Sequence, residues 1–449
     1  MADNKKLKDI VKDPNKIALN VESDTALIGN IKNEDDFQDA IIKAQNQTKN
    51  KSHIETFKKI DAQIHDFLKK QDSDSMLAFI TTSALELSSS DIHYDCREKG
   101  VYIRLRIDGE LETISIVSTR EYKLILERLK YKSDLKLNIT TIPQDGKYRI
   151  HNEKGKIDVR ISTLPTQYGE NVVCRILDST KSIPDIDDLG FMWIAKRQIE
   201  KALQRKNGTI LVTGPTGSGK TTTLYSMLTK LNTPEKKIIT LEDPVEYELP
   251  RVVQSEVDES ANYTYATGLK ALMRQDPDVI MIGEIRDLDS ATIAMQAAMT
   301  GHLVFSTLHT KTASETIERL MNMGLANYIL ASGLDVIIAQ RLVRKLCPHC
   351  REAYEAGPDE IDMIKYMLKD IGIAGVMLKK KKYTLYKSKG CSECGMTGHQ
   401  GRIGIFEVLT FNAEIRKAIR EGKGPKEIVE IARKGDLILM REDGILKAM

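Results

Sequence analysis

The sequence is short of aromatic residues and has almost no excess of charge. Only 5% of its 449 residues are Phe, Tyr or Trp, with a single Trp, and 67 Lys and Arg nearly cancel 64 Asp and Glu. Base-stacking grooves need aromatics and basic surfaces need surplus charge, so the composition gives little support to a nucleic-acid motor. There is no apolar run near the roughly 20 residues that span a bilayer. The opening MADNKKLKDIVKD lacks the apolar core of a signal peptide, so a cytoplasmic chain is expected. Six cysteines are too few for a disulfide scaffold. Four of them fall in two CxxC pairs, the spacing of a metal site in a reducing compartment.

Residues 1–72 are polar and read as a partly flexible region with one amphipathic helix through Phe57, Ile60, Ile64 and Phe67. From 73 to 178 the texture changes. Leu77, Ile80, Ala84 and Leu87 recur at helical spacing behind Ser73 and Asp74 as capping residues. Alternating runs follow at Asp91–Asp95, Val101–Ile107 and Leu111–Val117, then a helix from Ser118 to about Ser133. Further strands are read at Tyr148–His151, Ile157–Ser162 and Asn171–Leu177, which together predict a compact α+β domain. Pro184 and Gly190 among acidic residues mark 179–191 as a linker. Residues 192–449 alternate helices with the strands Thr209–Thr213, Ile238–Leu241, Val279–Ile282 and Leu303–Thr307, the pattern of a mostly parallel, helix-covered sheet. The four lysines Lys379–Lys382 read as a solvated loop.

Gly214, Pro215, Thr216, Gly217, Ser218, Gly219, Lys220 and Thr221 fit GxxxxGK[ST], between the apolar run TILVT and a helical stretch beginning with Thr222. In that context the glycines let backbone N–H groups curl around phosphates at a helix N-terminus. Lys220 would reach the β- and γ-phosphates of ATP, and Thr221 would ligate Mg²⁺. Two further apolar runs end in acids, at Glu242-Asp243 and at Glu284, where carboxylates hold Mg²⁺ or orient the attacking water.

These residues bring the chain to a family. From about residue 73 onward it resembles the secretion ATPases of type II secretion systems and type IV pili, in their assembly branch. The acidic box is Glu242-Asp243-Pro244-Val245-Glu246, the Walker B element Gly283-Glu284-Ile285-Arg286-Asp287, and the histidine box spans Thr300 to Thr310. The smaller domain carries SDIH (Ser90–His93), RxRxDG (Arg104–Gly109), PQDG (Pro143–Gly146) and STLP (Ser162–Pro165). The resemblance implies a RecA-like P-loop ATPase domain behind a PAS-like α+β domain. It implies Glu242 as base or water-orienting residue and Glu284 as Mg²⁺-site acid, roles that sequence leaves interchangeable. His302 and His309 look like sensors of the γ-phosphate. Arg104 and Arg106 resemble arginines that complete a neighbouring subunit's site, and Arg274, Arg286 and Arg341 match positions for phosphate contacts or subunit–domain salt bridges. Lys147 and Thr267/Lys270 stand where the family commonly has arginine, and lack its bidentate fork.

Cys347, Cys350, Cys391 and Cys394 can close a tetrahedral Zn²⁺ site inside a subdomain at 345–400, with redox thiols as the alternative. In the resemblance this element marks assembly rather than retraction ATPases. The expectation is a Mg²⁺-dependent homo-hexameric ATPase on the cytoplasmic face of the inner membrane. It would turn a platform protein to assemble pili or pseudopili, with recruitment through partners and no direct contact with nucleic acid. A DNA-uptake or DNA-transfer motor is the alternative, and a nucleotide-binding scaffold is disfavoured by the intact acids. The 72 polar residues at the start leave little room for the family's larger docking domain.

Overall fold

A computed structural model describes residues 51–152, 155–178, 183–369, 371, 382–394 and 396–449. The sequence readings on residues 1–50, on 179–182 of the linker and on Lys379–Lys381 lie outside them.

The first helix, α1 (Lys51–Lys70), carries Phe57, Ile60, Ile64 and Leu68 on one stripe, and all four are buried. They join the core of the following α+β unit, which therefore draws on chain ahead of residue 73. Helix α2 (Ser73–Glu86) is capped by Asp72, whose carboxylate accepts from the Ser75 N–H at 3.1 Å. Six strands follow: β1 (Ser89–Arg97), β2 (Gly100–Ile107), β3 (Glu110–Val117), β4 (Gln144–Asn152), β5 (Gly155–Thr166) and β6 (Gly169–Asp178). Helix α3 (Thr119–Lys132) lies between β3 and β4 and opens with a Ser118/Glu121 capping box. The sheet is antiparallel in the order β3-β2-β1-β6-β5-β4. Ile92, Tyr94, Ile103, Leu105, Ile161, Val172 and Cys174 are buried with the helices. Period two puts the charged residues on the other face. There Asp91, Arg175, Arg160 and Lys147 form one row across four strands.

The second unit alternates helices and strands: α4 (Trp193–Leu203), β7 (Gly208–Thr213), α5 (Lys220–Leu231), β8 (Ile238–Glu242), β9 (Val253–Glu256), α6 (Tyr265–Leu272), β10 (Val279–Ile282), α7 (Leu288–Met299), β11 (Leu303–Leu308), α8 (Ala313–Asn322), α9 (Asn327–Gly333) and β12 (Leu334–Leu346). The insert between β12 and β15 supplies β13 (Glu352–Glu355), α10 (Pro358–Leu368) and β14 (Thr384–Lys387). The chain then returns as β15 (His399–Thr410) and closes with α11 (Ala413–Arg420), α12 (Pro425–Arg433) and α13 (Met440–Ala448).

The large sheet has the order β15-β12-β7-β11-β10-β8-β9, parallel except for β15. Helices cover both faces, so its central strands are buried throughout and read as unbroken apolar runs. Alternation still sorts them: Ile210 and Val212 pack with Leu224 and Leu228, while Leu211 packs with Leu269, Ile280 and Ile337. Strands β12 and β15 extend the sheet beyond what the sequence reading foresaw. Past Gln340 they leave the core and continue as a two-stranded ribbon to the cysteines.

Candidate active site

Strand β7 ends at Thr213 and α5 begins at Lys220, so the six residues between form a tight loop at a helix N-terminus. Gly214 takes φ +155°, and a Cβ there would lie 2.5 Å from the Gln340 carbonyl oxygen, a clash that only glycine avoids. The Lys220 ammonium donates to the carbonyls of Gly214 at 2.9 Å and Pro215 at 3.2 Å. Burial holds its pKa below the ordinary lysine value, against the opposing pull of Glu284 and Glu246.

The loop opens on a cleft of about 840 Å³ between the two units. Thr216, Gly217, Gly219, Lys220, Thr221 and Thr222 line one wall, and Glu242, Asp243, Glu246, Glu284 and His309 stand at the strand ends. Asp91, Arg106, Gly109 and Arg175 of the small unit face them from the same chain. The ribbon adds Leu342 and Arg402. Direct contacts across the cleft are few: Arg160 donates to the Val245 carbonyl at 3.3 Å, and the Gly401 N–H to Asp108 at 3.3 Å.

The acids differ in how far they are free to act. Glu242 is 3% exposed. It accepts from the Tyr225 hydroxyl on one oxygen, and from Thr240 Oγ1 (2.6 Å) and Gln254 Nε2 (3.2 Å) on the other. A carboxylate so engaged ties β8 to α5 and β9. Glu246 is half-buried in the cleft. Burial raises its pKa above the ordinary glutamate value; Arg160 opposes this, Glu242 adds to it, and Arg175 and a hydrogen bond with Thr221 lower it again. Glu284 pairs with Arg286 and lies 3.3 Å from His309 Nε2. The Arg286 guanidinium also reaches Asp243 at 2.9 Å and sits 5.5 Å over the Tyr265 ring. Thr221 and Glu284, both on the cleft wall, carry oxygen donors of the kind that a Mg²⁺ ion prefers.

Three expected site residues lie elsewhere in their own chain. His302 precedes β11 and His309 follows it, so the length of the strand, roughly 20 Å, separates them. His302 Nδ1 hydrogen-bonds the Ala297 carbonyl at 2.9 Å, at the opposite end of β11 from the phosphate loop. Arg274 is exposed just ahead of β10, at that same remote pole, and donates to the Lys270 carbonyl. Arg104 pairs with Asp95 and is absent from the cleft wall, whereas Arg106, two residues on, lines it. Arg175, Arg160 and Arg402 were not singled out from sequence. Arg160 and Arg175 face each other in register, and their like charges are offset by Asp91, which pairs with Arg175 at 3.0 Å, and by Glu246 beside both. That juxtaposition is invisible until the strands pair.

The four cysteine Sγ atoms lie within 4.8 Å of one another. The separations Cys347–Cys391 (3.9 Å), Cys350–Cys394 (3.7 Å) and Cys391–Cys394 (3.7 Å) match the edges of a tetrahedron with Zn–S bonds of about 2.3 Å. Backbone N–H groups of Gly390, Cys391 and Gly398 point at the sulfurs at 3.2–3.3 Å, which favours thiolates. The donor set fits a closed structural zinc site at the far end of the β12–β15 ribbon.

A phosphate loop on a parallel sheet, acids at the ends of the neighbouring strands and arginines across a cleft define a RecA-like P-loop ATPase. Residues 69–449 match the family described as type II/IV secretion system protein, and the chain belongs to that family. It is 41% identical over 388 residues to the type II secretion system protein E of Klebsiella pneumoniae, covering 86% of this chain and 75% of that one. It is 42% identical to the type IV pilus assembly ATPase PilB of Thermus thermophilus, covering 80% of this chain but 40% of the longer relative. In fold it is similar to the Legionella pneumophila ATPase DotB (TM-score 0.60, 21% identity, 83% of this chain and 91% of that one). The pilus retraction motor PilT solved with ADP gives a TM-score of 0.50 at 28% identity, over 82% and 96%.

Proposed function

We propose that this chain is the motor of a type II secretion or type IV pilus assembly machine, hydrolysing Mg²⁺·ATP in the cleft between its two units. The observation that carries the reading is that Arg106 and Arg175 of the small unit line the same cleft as Lys220, Glu246 and Glu284 of the large unit. A γ-phosphate held there draws the two units together, and its loss releases them, with residues 179–191 as the hinge. Thr221 and Glu284 hold the Mg²⁺. Lys220 and the loop N–H groups hold the β- and γ-phosphates. Glu246, the cleft acid whose proton affinity burial raises, is the base in place of Glu242. Arg106 and Arg175 neutralise the transferring group from within their own chain, and His309 reports the phosphate state through Glu284.

The working assembly in this reading is a homo-hexameric ring, docked by partners on the cytoplasmic face of the inner membrane and transmitting the hinge motion to a platform protein there. Among the described residues no helix is long and apolar enough to cross a membrane. The test is complementation between two inactive variants, Glu246→Gln and Arg175→Ala, mixed and allowed to exchange subunits. A site built within one chain stays inactive in the mixture. Recovered ATPase activity would mean that neighbouring chains share the site and would overturn the assignment. His309→Ala should lower turnover and His302→Ala should leave it unchanged.

A further inference from the structure

Gln340 is a buried polar side chain, 1% exposed, on β12 where that strand leaves the sheet core beneath the phosphate loop. Its neighbour Ala339 pairs in register with Thr213, the last residue before the loop. The Gln340 side-chain amide donates to the Ser218 carbonyl at 2.7 Å. Its backbone carbonyl sits where a Gly214 Cβ would clash, and its Nε2 lies 3.3 Å from the place of a Gly219 Cβ. The loop is therefore laid over this residue at three points, Gly214, Ser218 and Gly219. A buried carboxamide in an apolar sheet is unfavourable unless its hydrogen bonds are specific. Here only half of that capacity is used. Among the buried side-chain atoms of the described residues, Gln340 Oε1 and Ser218 Oγ are both without a hydrogen-bond partner. An acceptor and a donor left unpaired in and beneath one loop are not what a side chain kept for packing would show.

We propose that Gln340 is a positioning residue for the phosphate loop. It holds the Ser218 carbonyl down onto β12, so that the N–H groups of the loop turn outward to the phosphates shared by ATP and ADP. The unpaired Ser218 hydroxyl and Gln340 Oε1 form a second contact when the loop tightens on its ligand. Because Gln340 touches the loop and not the γ-phosphate, its contribution is equal for the two nucleotides. Uniform binding of this kind changes KM and leaves kcat alone.

The experiment uses the full chain with Gln340→Met, which keeps length and removes the amide, and Gln340→Asn, which keeps the amide but cannot reach. Dissociation constants for a fluorescent ATP analogue and a fluorescent ADP analogue are measured beside the thermal midpoint, KM and kcat. The expected result is a matched weakening of both nucleotides by about five- to tenfold, the size of one neutral hydrogen bond, with kcat retained. The thermal midpoint of Gln340→Met should not fall, since the variant also removes a buried unpaired oxygen. Weakening of ATP alone would assign Gln340 to the γ-phosphate and overturn the proposal. A lowered midpoint with unchanged affinities would make it a residue of the core, as would failure of both variants to fold.

Discussion

Glu242→Gln and Glu246→Gln should separate cleanly, because one acid is consumed by the fold and the other faces the cleft. In Glu242→Gln the new NH₂ fits best toward Tyr225, whose hydroxyl can turn and accept. The bonds from Thr240 and Gln254 survive on the remaining oxygen but become neutral. Hydrogen bonds to a charged group are worth about 1.5–3 kcal/mol and neutral ones about 0.5–1.5, so two demotions cost about 2 kcal/mol. Glu242→Ala leaves three donors unpaired in a site 3% exposed, and should cost at least ~3 kcal/mol. Urea unfolding followed by tryptophan and tyrosine fluorescence reads this directly. ATPase activity per folded molecule should fall only a few-fold in Glu242→Gln. In Glu246→Gln the stability should hold, since a half-buried carboxylate is replaced by a neutral group. Its turnover should fall by about 10²–10⁴, the usual worth of a positioned base. The reasoning is refuted if Glu242→Gln keeps its stability but loses turnover, or if Glu246→Gln unfolds while still hydrolysing ATP.

Two further outcomes follow from groups already placed. Glu246 acts as a carboxylate and burial raises its pKa, so kcat/KM should be lost as pH falls through a value above 4.5, the ordinary glutamate figure. An acid limb at or below that value would remove Glu246 from the role. In the small unit, Lys130 and Glu170 form an ion pair at 2.7 Å with side chains 2% and 4% exposed. Lys130→Met strands a buried carboxylate and should cost about 3–5 kcal/mol in urea unfolding, whereas Lys130→Met combined with Glu170→Leu should recover most of it. A single variant as stable as the parent would show the pair to be solvated.

What the sequence decided was whatever is local. A phosphate loop needs its glycines and its lysine next to one another, between a strand and a helix, so eight consecutive residues identify it. Two CxxC pairs specify four sulfurs, and the acidic and Walker B boxes each mark a strand end. The helices and strands of the small unit were readable because one sheet face is wet and alternation survives, although β1, β4 and β5 run up to four residues past the expected limits. Strands β12 and β15 were not, since a strand buried on both faces has no period and LDVIIAQ reads equally as helix core. The spacing of His302 and His309 suggested a pair, yet a six-residue strand places them at opposite poles.

Pairing register decided the rest. It set Arg175 against Arg160 and Asp91, and brought Gln340 under the loop from a strand more than a hundred residues downstream. The division between Glu242 and Glu246 is of the same kind. The sequence shows two carboxylates four apart, and only packing decides which of them keeps its oxygens free, because Tyr225, Thr240 and Gln254 come from three different elements.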